Sequence, residues 1–286
     1  MKLTAFACAK INRELRVGRL RPDGYHEVLS RMVSIDLADR ITVETADALE
    51  LVCDQPAVPT GDANLVVKAA RLLATERGLA PRARILLEKR VPMGGGLGGG
   101  SADAAVTLRL LARLWGIDED SGRLHAVAAR LGSDVPFFLT GGEAEVSGRG
   151  ELVTPVDDGA PADLILLIPP FPVSTAAVYG EYGGRGTLPE RLEVAKPGRR
   201  RFLGPNDLAP SVLAVEPRME FYVESAAALT SDTVISGSGG TIVLHGAPKD
   251  AASFLAARHP EATVAAARTL SRADYRRRTE PAKGAP

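Results

Sequence analysis

Six glycines packed into the segment VPMGGGLGGGSADAA, Val91 to Ala105, constrain this chain more than any other feature. Glycine adopts φ > 0 and allows close backbone approach, but loses much entropy when it is ordered. The alternative is a flexible spacer, yet spacers are Gly/Ser-rich and do not open an Ala/Leu-rich helix. Here Ser101 begins one, with Leu108, Leu111, Ala112 and Trp115 on a single stripe. N–H groups exposed along such a loop and at a helix N-terminus form an anion site of the kind that holds phosphates. The segment therefore predicts a strand at Arg84 to Lys89, a phosphate-binding loop, and a helix from Ser101 to Trp115.

Two familiar phosphate loops are excluded or weak. The G-x-x-x-x-G-K-[ST] spacing fits from Gly95 to Gly100, but Ser101 stands where the lysine belongs. Gly94, Gly96 and Gly99 meet the spacing G-x-G-x-x-G, which a run this rich in glycine matches by chance. A dinucleotide fold also needs an acidic residue ending a second strand. Here the chain from Val106 to Trp115 reads as helix, with Asp118 to Asp120 only in the turn beyond.

With 286 residues and 45% hydrophobic composition, the chain suits one large or two ordinary soluble domains. Its formal net charge of zero requests neither nucleic acid nor membrane, and no stretch nears the ~18 apolar residues of a membrane span. Lys10 cuts the apolar opening shorter than a secretory leader. Cys8 and Cys53 lack metal-ligand spacing and read as reduced thiols, so a cytoplasmic setting is expected.

Along the chain, strands are expected within 4–15, 28–35 and 41–44, and a helix from about Asn64 to Leu73. A second helix spans Leu124 to Leu131, ended by Gly132. The run Asp157-Asp158-Gly159-Ala160-Pro161 marks a domain boundary before a buried strand at Leu164 to Ile168. Gly183 to Gly204 reads as a mobile connection whose Arg199 to Arg201 are solvated. A second glycine loop, Ser236 to Thr241, precedes a strand at Ile242 to His245 and a helix over Asp250 to Arg258. The end from Tyr275 to Pro286 is charged and reads as frayed.

Two charged positions suit chemistry. Lys10 and Asn12 lie two apart on an apolar strand, hence on one face, and a lysine there needs an acid or an anion beside it. Asp134, inside Leu131-Gly132-Ser133-Asp134-Val135-Pro136-Phe137-Phe138, is the natural partner, although alone it reads as a helix-boundary residue. A carboxylate that accepts a hydroxyl proton, a cation beside it and a phosphate loop are the parts of a phosphoryl transferase.

These segments, in this order, resemble the superfamily of galactokinase, homoserine kinase, mevalonate kinase and phosphomevalonate kinase (GHMP), whose signature is matched by Pro92 to Ala102. Within it, Lys10-Ile11-Asn12 followed by Arg21-Pro22-Asp23-Gly24-Tyr25-His26-Glu27 is similar to the family of 4-diphosphocytidyl-2-C-methyl-D-erythritol kinases. Further matches are Asn64-Leu65-Val66, Lys89 to Pro92, Gly132 to Phe138, Gly148 to Glu151, Pro205 to Leu208 and Ser236 to Thr241. The resemblance runs to about residue 260 and implies an α+β, two-domain GHMP-kinase fold. An N-terminal domain of ribosomal protein S5 domain 2-like type would take residues 1–157 and a ferredoxin-like domain residues 158–272, with the active site between them and 273–286 a disordered tail.

The resemblance also implies roles. Lys10 and Asp134 would be catalytic. ATP would be held by Pro92, Met93, Gly94, Gly95, Gly96, Leu97, Gly98, Gly99, Gly100, Ser101 and Ala102, with Asn64, Leu65 and Lys89 on the adenine side. Asn12, Tyr25, His26, Thr175 and Tyr179 would contact a cytidine diphosphate derivative, whose base offers a flat face for stacking. Taken alone, Tyr25-His26 is an ordinary strand-end pair and Asp23 a turn residue. The expected reaction is ATP-dependent phosphorylation of the 2-hydroxyl of 4-diphosphocytidyl-2-C-methyl-D-erythritol, in isoprenoid precursor synthesis. The rivals are a sister kinase with another acceptor and a non-catalytic nucleotide-binding regulator. Magnesium is expected with ATP, held mainly by the phosphates, and no protein ligand is assigned. The protein would be a monomer or homodimer. One departure stands out: Arg13-Glu14 replaces the apolar residues that usually follow Lys-Ile-Asn.

Overall fold

The computed structural model describes residues 1–118, 121–184, 186–190, 192 and 202–283. Its backbone is a ribbon of two strands, β1 (Lys2–Leu20) and β2 (His26–Glu44), antiparallel along nearly their whole length. The separate strands expected at 28–35 and 41–44 are one. Their pairing slips between Cys8 and Lys10, Asn12 and Glu14, and Val17 and Leu20, and such slips bend a strand and re-aim its side chains. Before the first slip, Ala5 and Ala7 face the N-terminal core; after it, Ala9 and Ile11 join a core shared with the second sheet. Ala7 to Asn12 is buried without a break.

Five more strands complete the first sheet: β3 (Leu49–Cys53), β4 (Ala83–Glu88), β5 (Glu143–Ser147), β6 (Leu152–Pro155) and β11 (Ala282–Lys283). The main path runs β11-β1-β2-β4-β3, with β5 on the far part of β2 and β6 on β5. Four helices accompany it: α1 (Leu65–Glu76), α2 (Gly99–Leu114), α3 (Ser121–Leu131) and α4 (Val135–Thr140). Val66, Leu73, Ile85, Leu108, Leu111 and Phe137 fill the core between them. Each fully buried side chain of this size contributes about 1.5–3 kcal/mol.

The second sheet holds β7 (Asp163–Ile168), β8 (Thr233–Ile235), β9 (Ile242–His245) and β10 (Thr263–Arg268), ordered β10-β7-β9-β8 and antiparallel throughout. Helices α5 (Thr175–Tyr182), α6 (Ala209–Val215) and α7 (Met219–Ala227) lie between β7 and β8 in the chain, and α8 (Ala251–Arg258) between β9 and β10. This chain order and strand order are those of a ferredoxin-like domain. The architecture is the expected α+β fold with two sheets.

The two sheets are stitched along β1. Leu15 N–H donates to the Pro205 carbonyl at 3.0 Å, Gly204 N–H to the Arg13 carbonyl at 2.6 Å and Asp207 N–H to the Leu15 carbonyl at 2.9 Å. Arg13 and Glu14 are part of this seam. The Arg13 guanidinium lies 3.9 Å from the Phe202 ring centroid and donates to Glu143 Oε1 at 2.5 Å; Glu14 accepts from Arg16, which also binds Asp207 at 3.0 Å. Two charges thus replace apolar residues because each has a charged partner.

The tail expected to be disordered is ordered through residue 283. It forms α9 (Arg272–Thr279) and β11, which pairs with β1. Tyr275 is fully buried and its hydroxyl donates to the Phe138 carbonyl at 2.5 Å, so one aromatic anchor outweighs the basic run around it. Gly141 makes room: a Cβ there would lie 1.9 Å from the Tyr275 ring. Much of the expected mobile connection at 183–204, including Arg199 to Arg201, lies outside the described residues.

Candidate active site

The glycine loop follows β4 and leads into α2, as its sequence predicts. Gly94, Gly96 and Gly98 have φ of +71°, +74° and +71°. Gly98 is the N-cap of α2 and no side chain caps the helix. The helix begins at Gly99 rather than Ser101, so the last two glycines are its first turn. Those N–H groups are free of side-chain caps at the positive end of the helix dipole.

The second glycine loop locks onto the first. Thr241 N–H donates to the Gly95 carbonyl at 3.1 Å, and Ser236 Oγ to the Gly96 carbonyl at 3.2 Å. A Cβ on Gly96 would stand 2.1 Å from the Ser236 carbonyl oxygen, and one on Gly239 would stand 2.2 Å from the Gly96 nitrogen. Only glycine permits this backbone-on-backbone contact, which joins the two domains beneath the cleft.

Lys10, on β1, reaches this junction from below. It is buried; Nζ donates to Asn12 Oδ1 at 2.6 Å and to the Gly96 carbonyl at 2.9 Å, and lies 3.6 Å from Asp134 Oδ2. Asp134 precedes α4, whose N-terminus its side chain does not cap. Its carboxylate is one-third exposed and therefore accessible from the cleft. The lysine, asparagine and aspartate predicted from two distant segments meet within hydrogen-bonding or ion-pair reach.

All the other predicted site residues but one line a single cavity of about 1130 Å³: Tyr25, His26, Asn64, Leu65, Lys89, Pro92 through Ser101, Thr175 and Tyr179. The exception is Ala102. It is fully buried, and its N–H donates to the Gly98 carbonyl at 2.9 Å inside the helix, so it has nothing to offer a phosphate.

Several of these side chains already have partners. Lys89 is buried between Asp39 Oδ2 at 2.5 Å and Asp103 Oδ2 at 2.8 Å, an ion triad that ties β4 to β2 and α2. Burial pushes the Asp103 carboxyl up, against the pull of Lys89. Lys89 therefore braces the loop from behind. Asn64 caps α1, its Oδ1 accepting from Val66 N–H at 2.8 Å and its Nδ2 donating to the Pro59 carbonyl at 2.7 Å.

At the other end of the cleft, Tyr25 is half exposed while His26 is buried. His26 stacks on Tyr179, with ring centroids 5.6 Å apart and an interplanar angle of 30°. Its Nδ1 lies 3.2 Å from the Gly18 carbonyl, which can only accept, so in the neutral ring Nδ1 carries the proton and Nε2 is the acceptor. Burial, and secondarily the Asp134 charge, raises the Tyr179 hydroxyl, which stays neutral. Thr175, the first residue of α5, holds Ser238 Oγ at 2.9 Å across the cleft mouth. Asp23 serves its turn, accepting from Tyr25 N–H at 3.2 Å.

Arg149 carries no expected role, yet it lines this end of the cavity with its guanidinium 4.9 Å from the Tyr25 ring centroid. It donates to the Ala129 carbonyl at 2.9 Å. The cleft lysines, Lys10 and Lys89, both face carboxylates. Arg149 lies in the Gly148 to Glu151 segment that the resemblance matched without a role attached, and only the fold turns it toward Tyr25. Among the described residues there is no group of three or more His, Cys, Asp or Glu able to hold a metal, and no helix is long and apolar enough to cross a membrane.

The family model for the GHMP kinases N terminal domain matches residues 64–142. The 4-diphosphocytidyl-2-C-methyl-D-erythritol kinase of Salinibacter ruber is 38% identical over 274 residues, covering 90% of this chain and 94% of that protein. The enzyme of the same name from Streptomyces avermitilis is 37% identical over 257 residues, covering 84% and 86%. A crystal structure of 4-(cytidine 5'-diphospho)-2C-methyl-D-erythritol kinase superposes with a TM-score of 0.77 at 33% identity, over 93% of this chain and 98% of that one. A mevalonate kinase, 11% identical, shares the fold with a TM-score of 0.68 over 95% and 99%. Identity of this extent over nearly the whole chain, with a shared fold, means that the chain belongs to the 4-diphosphocytidyl-2-C-methyl-D-erythritol kinase family of the GHMP kinases.

Proposed function

We propose that this protein transfers the γ-phosphoryl group of ATP to the 2-hydroxyl of 4-diphosphocytidyl-2-C-methyl-D-erythritol. The observation that carries the reading is the meeting of Lys10, Asp134 and the Gly96 carbonyl at the floor of one cleft, between a phosphate cradle and an aromatic platform. ATP lies along Gly94 to Ser101, its phosphates against the glycine N–H groups and the start of α2. The acceptor lies toward Tyr25, His26 and Tyr179, with its diphosphate near Arg149 and Thr175.

Asp134 takes the proton of the acceptor hydroxyl as that oxygen bonds to the γ-phosphorus. The bond from that phosphorus to the β-phosphate oxygen breaks, and ADP leaves. The acceptor is a tertiary alcohol and a poor nucleophile, which makes a base with a nearby cation chemically sensible. The Lys10 ammonium stabilises negative charge at the reacting oxygens. Magnesium would be held mainly by the phosphates. Bound there, it would neutralise phosphate charge.

At the base end, the His26 Nε2 acceptor matches the 4-amino donor of cytosine, and Tyr25 offers an aromatic face. An ADP-release assay on purified protein tests the reading. The cytidine substrate should be turned over, its uridine analogue poorly, and mevalonate and homoserine not at all. Turnover of mevalonate or homoserine in its place would overturn the acceptor assignment.

A further inference from the structure

The reading above leaves one question: what holds the Lys10 ammonium in a single orientation. Lys10 leans on Asn12 Oδ1, and an asparagine amide presents an acceptor at one end and two donors at the other. If the amide turned over, its NH₂ would face the ammonium and repel it. Something must therefore fix which end faces Lys10.

Ser30 on β2 does so. It is fully buried, stands opposite Leu15 in the pairing with β1, and lines the cleft floor. Its hydroxyl donates to the Glu14 carbonyl at 2.7 Å, and a carbonyl can only accept. The single hydroxyl hydrogen is thereby committed, so toward Asn12 Nδ2, also at 2.7 Å, Ser30 Oγ must accept. The amide NH₂ then faces Ser30 and Oδ1 faces Lys10 Nζ at 2.6 Å. A second ammonium donor goes to the Gly96 carbonyl at 2.9 Å, which leaves the third for the Asp134 side of the cleft. Every donor and acceptor in the chain from Glu14 to Lys10 is decided by a group that has no alternative.

We propose that Ser30 is a positioning residue for phosphoryl transfer, acting through Asn12 on the Lys10 ammonium. It touches neither substrate in this role, and nothing about a serine in an alternating strand reveals it. The inference rests on the proposed reaction for its kinetic consequence, but its geometry can be read without turnover.

The test compares Ser30→Ala and Ser30→Thr with the unaltered protein. Without Oγ, one Asn12 N–H is buried without an acceptor, and Ser30→Ala should lower kcat about tenfold or more while the KM for ATP stays within about twofold. Ser30→Thr, which keeps the hydroxyl, should recover most of the loss. Independently, NMR of the Asn12 side-chain amide should show slow solvent exchange in the unaltered protein and in Ser30→Thr, and fast exchange in Ser30→Ala. An unchanged kcat in Ser30→Ala, no recovery in Ser30→Thr, or unchanged exchange at Asn12 would each overturn the proposal. If the unaltered protein phosphorylated none of the acceptors, the proposed function would fail while the exchange measurement still decided the role of Ser30.

Discussion

Replacing Gly96 by alanine is the sharpest perturbation of the joint between the two glycine loops. The new Cβ would fall 2.1 Å from the Ser236 carbonyl oxygen and 3.0 Å from both the nitrogen and Cα of Gly239, all backbone atoms. Because Cβ atoms essentially never approach another heavy atom closer than 3.0 Å, the loops must part by 3.0 − 2.1, or 0.9 Å. Alanine at a φ of +74° adds about 1–2 kcal/mol of backbone strain. The Gly96 carbonyl carries Lys10 Nζ and Ser236 Oγ, so the shift is transmitted to the Lys10 ammonium. A misplacement of about 1 Å costs on the order of 10²-fold in rate. Gly96→Ala should therefore lower kcat/KM for ATP by about 10²-fold. The strain alone should lower Tm by about 2–8 °C. Gly61→Ala is the control, since its site is open and its φ is not left-handed. Steady-state ADP release and thermal unfolding of both variants make the comparison. A Gly96→Ala protein within about threefold of the unaltered kcat/KM would refute the claim that the loops are locked backbone to backbone.

Two further substitutions probe the cleft from its two ends. Lys89→Met leaves Asp39 and Asp103 buried without their shared cation, and should lower unfolding stability by about 3–5 kcal/mol in urea titration. A loss below about 1 kcal/mol would mean the triad contributes little. Arg149→Met should raise the KM of the cytidine substrate about tenfold, leave the KM for ATP unchanged, and weaken the dependence of acceptor affinity on salt. Equal changes in both KM values would remove Arg149 from the acceptor end.

The parts of the candidate site were legible in the sequence because each has a local signature. The glycine run could only be a loop with close approaches, Lys10 and Asn12 share a strand face by their spacing, and Asp134 sits among apolar neighbours. That the three meet depends on the resemblance, since spacing alone does not bring residues 10, 96 and 134 together. The long ribbon was hidden because its three slips in pairing break the alternation that marks a strand. The ordered tail was hidden by Arg276, Arg277 and Arg278, which read as solvent-facing, while Tyr275 alone supplies the anchor. Ala102 came with the motif of the resemblance, and it lies inside α2, fully buried, with its N–H on the Gly98 carbonyl. Arg149 and Ser30 act through partners far away in sequence, Tyr25 and Asn12; Arg149 sits in a matched segment with no role attached, and Ser30 carries no pattern of its own.

The central claim is that Asp134 accepts the acceptor's proton beside Lys10. The most direct measurement is kcat for the cytidine substrate with Asp134→Asn, which keeps the shape of the side chain and removes its basicity. Loss of a positioned general base lowers kcat by about 10²–10⁴-fold, and that is the expected result. A kcat within about threefold of the unaltered protein would contradict the account.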